Sequence, residues 1–468
     1  MGDVTEILND GTSGLVSGGV TGCLVVGSCS KGEANKPYVF GKGSKIEDSL
    51  GVGTLTDRIK NIFQAGGQNP KVIAVPAGAT PAELPGITKS REDSPAVTIS
   101  GASKSNNDIV IKITTAGELN IGTFQISYDK GISFSENITL PVDSNYILAE
   151  TGVTVNFPAG SYEINDTYSF SLKAPSATLQ DIMAACKAGL ELYEVEFVYV
   201  TGATDGTAWI SMQALAEEMF NKHRPVYFKC EARLPEDDED LQDWVTYLKE
   251  ERKDVSARFV QVCAAYGNIT DSDGNTKLSN LAGIQAGRVL SIPVQRATGR
   301  VKDGSLTGVT LPDNWDSAIG LALIEEKFLI AKTYAGLSGV YWDDSYTLAE
   351  STSDYQYEEV VRVVFKGVRL ARQAALKSMY DELGDPNKPE DMIGANELRV
   401  AIETAFDTMK DANPKEIAGY EVVIPEGQDF VNNGVAVEYT LIGIPIIRKI
   451  TLHASYTYAG SNFDPRLN

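Results

Sequence analysis

Val195-Glu-Phe-Val-Tyr-Val200, a helical stretch over Trp209–Asn221, Pro225-Val-Tyr-Phe-Lys229, an acidic helical stretch over Pro235–Lys253, and Arg258-Phe-Val-Gln-Val-Cys-Ala264 follow one another along the chain. Short apolar runs rich in Val, Phe and Tyr, separated by helical patterns, are the mark of βαβ units, whose strands are buried on both faces of a mostly parallel sheet. The same texture extends outward. A helix over Thr178–Leu190 precedes this region and another over Leu281–Leu290 follows it. Near the start, Val20–Gly27 (VTGCLVVG) and Lys71–Pro76 (KVIAVP) read as strands on either side of a helix at Leu55–Phe63. That helix puts Leu55, Ile59, Ile62 and Phe63 on one face, and Ala65-Gly-Gly67 stops it.

Between these two α/β stretches the pattern changes to period two. Ile109–Ile113 (IVIKI), Thr123–Tyr128 (TFQISY), Val153–Phe157 (VTVNF) and Tyr168–Leu172 (YSFSL) alternate, with turns such as Asp129-Lys-Gly131 between them. Pro81, Pro85, Pro95 and Pro175 mark the joints. An all-β module with proline at its joints reads as an insertion into another domain. Beyond residue 345 a long helix is expected over Asp354–Leu383 and another over Asn396–Asp411. Gly434–Ile442 and Ile446–Leu452 then read as an antiparallel pair across Gly443-Ile-Pro445. The expected organisation is an α/β and α+β multidomain chain. Its parts are an arm at 1–18, a discontinuous α/β core at 19–80 and 176–345, a β-sandwich insertion at 81–175, an α+β domain at 346–452, and a second arm at 453–468.

The chain has 468 residues with 41 Lys+Arg against 63 Asp+Glu, a net charge of −22. That disfavours coating nucleic acid or an anionic membrane surface, both of which reward basic residues. Apolar residues make up 43% and charged residues 22%, as in folded globular chains. No apolar run approaches the length of a membrane span, and the acidic start Met1-Gly-Asp-Val-Thr-Glu lacks the basic stretch of a signal peptide, so folding in a reducing cytoplasm is expected. There are two histidines, His223 and His453, and neither has a nucleophile or metal-spaced partner nearby in sequence. The five cysteines form no CxxC pair, so neither a zinc site nor a disulfide framework is indicated. No catalytic, cofactor or metal residue is assigned, and the composition leans towards a structural or binding protein.

Motifs with chemical meaning are few. Gly27-Ser-Cys-Ser-Lys-Gly32 has P-loop spacing, but Glu33 stands where phosphate binding needs Lys. Glu236-Asp-Asp-Glu-Asp240 lacks the alternation and glycine of a calcium loop and suits a solvated helix start. Asp343-Asp344 is a pair of carboxylates in a turn. Arg362, Lys366, Arg369 and Arg372 recur at i, i+4, i+7 and i+10 beside an apolar stripe of Val360, Val364, Val368, Ala371 and Ala375. This basic stripe reads either as a solvated face balanced by Glu358 and Glu359 or as a surface for an acidic partner. The Gly- and Ser-rich start, with Val4, Ile7 and Leu8, reads from composition as a frayed end in preference to the alternative, an extended arm ordered by a partner.

Several segments together resemble the contractile phage tail sheath family. They are the opening strand with Lys31-Gly32-Glu33-Ala-Asn35-Lys-Pro37, Ile62-Phe63-Gln-Ala-Gly66-Gly67 with Lys71–Val75, Gly283–Ala297, Tyr341-Trp342-Asp343-Asp344, Val361-Arg362-Val363-Val364-Phe365, and Gly419-Tyr420-Glu-Val422 with Gly434–Ile442 and Pro445. Glu33 replaces the family's proline, Gln295-Arg296-Ala297 replaces its acidic pattern, and its Arg-Thr after the tryptophan is absent. Ser127–Gly131, Gly152–Val155 and Asp166–Phe170 resemble a small immunoglobulin-like sandwich, expected to face outward.

The resemblance implies a structural subunit, not an enzyme. Such a subunit polymerises helically with itself, in stacked and usually hexameric rings around an inner tail tube protein. It joins baseplate and tail terminator proteins and contracts to drive the tube through an envelope. It works in a virion tail or injection particle assembled in a bacterial cytoplasm, without nucleic acid, membrane insertion or cofactors. Its terminal arms would add strands to neighbours, here through Val4, Ile7, Leu8, Ile450, Leu452, Tyr456 and Tyr458, and the stripe Arg362, Lys366, Arg369 and Arg372 would face the tube. The alternative from another class is a virion or cell-surface adhesin whose β module binds carbohydrate.

Overall fold

The computed structural model describes residues 22–67, 70–80, 82–149, 151–236, 239–271, 274–385, 388 and 391–459. Its centre is a six-stranded sheet in the order Val260–Cys263, Tyr227–Glu231, Phe197–Ala203, Cys23–Gly27, Val72–Pro76 and Tyr38–Phe40. All neighbours run parallel except the edge strand Tyr38–Phe40, which pairs antiparallel with Val72–Pro76. The four strands Cys23–Gly27, Val72–Pro76, Tyr227–Glu231 and Val260–Cys263 are buried along their whole length. Helices cover both faces, so Cys23–Gly27 and Val72–Pro76 read as unbroken apolar runs, while Lys229, Glu231 and Gln261 interrupt the other two.

The helices are α1 (Ile46–Leu50), α2 (Thr54–Ala65), α3 (Leu179–Leu192), α4 (Gly206–Asn221), α5 (Leu241–Arg252), α6 (Ala282–Ser291), α7 (Ser317–Glu325), α8 (Glu358–Ala375) and α9 (Ile393–Lys410). Several start on side-chain caps. Thr178 and Asp181 form a capping box on α3, and Asp205, Asp240 and Asp316 cap α4, α5 and α7. The acidic run therefore ends on a cap, and α5 begins at Leu241, six residues beyond the expected Pro235. Glu239 in the same run is held by Arg233 at 2.6 Å.

α2 and α6 lie side by side on one face of the sheet, while α3 packs on Cys23–Gly27 and Val72–Pro76 and α4 on Tyr227–Glu231. Two glycines of α6, one turn apart, permit that closeness. A Cβ on Gly287 would fall 2.5 Å from the Ile62 carbonyl oxygen, and one on Gly283 would fall 2.9 Å from the Asn61 Cβ.

The inserted module has its own apolar core, including Ile109, Ile111, Ile113, Phe124, Phe157 and Tyr168. Its strands form two antiparallel sheets. One holds Thr98–Gly101, Val153–Asn156 and Asn145–Ile147; the other holds Thr88–Lys89, Thr167–Leu172, Asn107–Thr115, Thr123–Ser127 and Ile138–Thr139. At its base the chain closes on itself: Thr80 N–H donates to Ser176 O at 2.9 Å, and Ser176 N–H to Thr80 O at 3.1 Å.

α8 is the spine between the remaining parts. Val361 and Phe365 enter the core of the α/β body. Val363, Leu370, Ala371 and Ala374 enter a third core with Ile402, Phe406 and Met409 of α9. The expected antiparallel pair at the C-terminal end is different. Glu438–Ile442 pairs with Gly419–Val423, not with 446–452. Phe406 draws both strands onto α9, with its ring 5.5 Å from Tyr420 and 5.1 Å from Tyr439. From Gly443 to Tyr458 the chain joins no strand or helix.

Candidate assembly interface

Opposite charges inside the body fix how the sheet, α2, α6 and α8 sit together. In the parallel register Tyr199, Lys229 and Gln261 stand side by side. Lys229 donates to Gln261 Oε1 and Gln285 Oε1, each at 2.7 Å, and to Glu358 Oε1. Tyr227 and Gln285 also donate to Glu358, both at 2.8 Å, and Ser345 adds a further hydrogen bond. Burial alone would raise the pKa of Glu358, but Lys229, Arg362 and these bonds hold it at about 2. Burial lowers the pKa of Lys229. Two strand positions further, Glu231 takes both Arg58 Nε (2.7 Å) and Nη2 (2.8 Å), and Tyr199 OH at 2.6 Å. Isolated charges here would be very costly, and each is paired and hydrogen-bonded.

The basic stripe is mostly absorbed by this seam. Arg362 is 4% exposed. It pairs with Glu196 at 2.5 Å and donates to the carbonyls of Val289, Ile292 and Pro293 at the end of α6. Arg369 donates to the Val195 and Pro225 carbonyls, and Lys366 is held by Glu416. Arg372 alone of the four is exposed. The expected tube-facing stripe is therefore corrected. A helix that bridges two cores has little solvent face left, and its guanidinium groups serve carbonyls that helix and strand ends leave open.

The candidate interface that remains is at the C-terminal end. Ile450, Leu452, Tyr456 and Tyr458 are 73%, 87%, 82% and 74% exposed. The neighbouring strands Gly419–Val423 and Glu438–Ile442 form a two-stranded sheet, so among the described residues each has one unpaired edge. Val4, Ile7 and Leu8 lie outside the described residues. Sequence reasoning missed Lys229, Glu358, Arg58 and Glu231. The available signal was charge at alternate positions inside an otherwise apolar strand, Lys229-Cys-Glu231.

The turn after the first strand is packed: a Cβ on Gly27 would fall 1.9 Å from Thr201 Oγ1. Cys23, Cys186, Cys230 and Cys263 are buried free thiols, and Cys29 is half-buried. Among the described residues no three His, Cys, Asp or Glu side chains converge as a metal site, and no helix is long and apolar enough to cross a membrane. A cavity of about 410 Å³ lies where the module meets α2, lined by Asp57, Lys60, Asn107, Tyr128 and Lys277 among others. Its charges are internally matched, Lys277 to Asp57 at 2.8 Å and Lys60 to Glu47.

Two family models cover almost the whole chain. The DUF2586 N-terminal domain matches residues 1–346 and the DUF2586 C-terminal domain residues 354–461. The chain belongs to the DUF2586 family. No curated protein matches it in sequence. In fold, this DUF2586 member is similar to contractile sheath proteins. The sheath of an extracellular contractile injection system, PVC, in the contracted state superposes with a TM-score of 0.55 at 12% identity, covering 98% of this chain and 97% of that one. The contracted helical sheath of the anti-feeding prophage gives 0.52 at 12% identity, covering 97% and 99%. A sheath tail protein from Desulfitobacterium hafniense gives 0.51 at 13% identity, covering 95% and 100%. The DUF2586 models divide between residues 346 and 354, immediately before α8.

Proposed function

We propose that this chain is the structural subunit of a contractile sheath, polymerising helically around an inner tube and contracting to drive it through a cell envelope. The observation that carries the reading is the likeness of fold over nearly the full length, body, module and C-terminal part together, to sheath subunits of the PVC and anti-feeding prophage particles. The unpaired edges of Gly419–Val423 and Glu438–Ile442 and the exposed apolar run after Gly443 support it, because strand addition needs an open edge on one subunit and a free strand on another. Such head-to-tail contacts propagate into helices rather than closed dimers. The partners on this reading are further copies in ring layers, hexameric by the family's habit, an inner tube protein, and baseplate and terminator proteins. The two arms exchange strands with neighbours, and the immunoglobulin-like module decorates the outside. The particle is a phage tail or injection device assembled in the bacterial cytoplasm, and its work is mechanical, without catalysis or cofactor. Electron microscopy of the chain expressed with its tube protein tests this. Striated tubes or empty polysheaths are expected, and persistent monomers at high concentration and low salt would refute it.

A further inference from the structure

In the run that follows Gly443, the Arg448 side chain is tied to the body. Ile447, Ile450 and Leu452 around it are 79%, 73% and 87% exposed. The Arg448 guanidinium, by contrast, lies 3.5 Å from the centre of the Tyr357 ring. Its Nε donates to Asp344 Oδ2 at 2.5 Å and its Nη2 donates to Glu359 Oε1. The three receiving residues belong to the body: Tyr357 directly precedes α8, Glu359 is its second residue, and Asp344 follows the strand Tyr341–Trp342. The side chains of Glu359 and Asp344 are 6% and 15% exposed, and Glu359 Oε2 is buried without a hydrogen-bond partner. A carboxylate so enclosed needs a cation or a proton beside it in every state. A flat guanidinium can stack on a ring and reach two carboxylates at once, which an ammonium cannot.

We propose that Asp344, Tyr357 and Glu359 form an arginine socket that fixes the root of the C-terminal segment to its own body and leaves Ile450 and Leu452 exposed for pairing with a second copy of the chain. The anchor sets the reach. Residues 449–459 span at most roughly 35–40 Å when extended, so an edge that pairs with residues 450–458 must lie within that distance of Arg448. The socket is also sensitive to acid. Burial pushes the Glu359 pKa up to about 7, with Asp344 adding to this against the pull of Arg448. Around it stand Asp343, held by Lys332, and Tyr346, whose ring packs 5.4 Å from Tyr357 and beneath Lys327. A proton on Glu359 removes one of the two charges that hold Arg448.

The test uses the full chain in a Cys29→Ser background, with spin labels at Ile450→Cys and Ser351→Cys and distances read by double electron–electron resonance. The parent should give one narrow distribution that broadens as pH falls below about 7. Arg448→Ala and Glu359→Gln should raise the detached fraction roughly tenfold, as loss of a charge-assisted contact predicts, and Arg448→Lys should fall between. Glu359→Gln should also lose the pH response. An Arg448→Ala distribution identical to the parent overturns the socket. Its role in assembly rests on the sheath reading, and microscopy of the same samples separates the two. A parent that never polymerises, yet shows the expected distances, refutes the sheath and leaves the anchor standing. Equal polymerisation and equal distances in parent and Arg448→Ala refute the anchor alone.

Discussion

Adjacent residues at the start of α8 have opposite fates. Glu358 is surrounded by donors and by Lys229, and its pKa falls from an ordinary 4.5 to about 2. Glu359 is buried with one oxygen unpaired, and its pKa rises to about 7. By linkage, the contribution of Glu358 is present above pH 4.5 and is lost as pH falls towards 2, whereas that of Glu359 is present in acid and is lost as pH rises from 4.5 through 7. Thermal melts across pH should show this. Glu358→Gln should flatten the acid limb, and Glu359→Gln should flatten the decline between pH 5 and 7. Removing one partner of the buried pair is the harsher change. Lys229→Met removes the cation in direct contact with the buried Glu358 and should cost about 3–5 kcal/mol in urea unfolding. Adding Glu358→Gln should recover part of that, because the amide still accepts from Tyr227 without carrying charge.

At the scale of elements, the α2–α6 contact depends on Gly287. Gly287→Val should destabilise the fold by about 1–3 kcal/mol, since backbone is what the new side chain meets. Gly41→Ala, whose Cβ would meet nothing within 4 Å, serves as the neutral control. α8 gives the second element-level prediction. Arg362→Glu would oppose Glu196 and abandon three α6 carbonyls, so it should unfold the chain rather than selectively weaken a partner. Arg372→Glu should leave the melting temperature unchanged and is the position of the four at which a tube contact would register in co-assembly. The same helix shows why sequence alone carried the reading only part of the way. Runs such as VEFVYV and KVIAVP announced buried parallel strands, and IVIKI announced the alternating strand Asn107–Thr115. Periodicity also found α8, but it could not tell which face meets solvent when a helix is covered on two sides. The mistaken pairing at 446–452 has a similar origin. Two apolar runs flanking a Gly-Ile-Pro turn look like a hairpin, while the competing attraction of Phe406 for Tyr420 and Tyr439 is tertiary. Arg448, in the run Ile447-Arg448-Lys449-Ile450, carried no local signal of its socket.

At the scale of the whole molecule, the body and the module keep separate apolar cores and meet around α2 and the Thr80–Ser176 ladder. Replacing residues 82–174 with an Asn-Gly turn should therefore leave the body folded. Far-ultraviolet circular dichroism should show retained helix, with a melting temperature within a few degrees of the parent. On the sheath reading the shortened chain should still polymerise into a tube of smaller outer diameter. Aggregation of the shortened body, with exposed α2 surface detected by dye binding, would show that the module is a structural support.

The closed base of the module also governs how the gene can change. With Thr80 and Ser176 already joined, the rest of the protein experiences 95 intervening residues as a turn. Loop closure grows only with the logarithm of length, so exchanging 95 residues for about four alters the closing entropy by only about 3 kcal/mol, in favour of the shorter loop. Stability of the body thus places almost no constraint on what is carried between these two residues. The position is a ready graft point, where an epitope, an enzyme or a different domain can be installed by design, or gained and discarded by recombination, without redesigning the body beneath it.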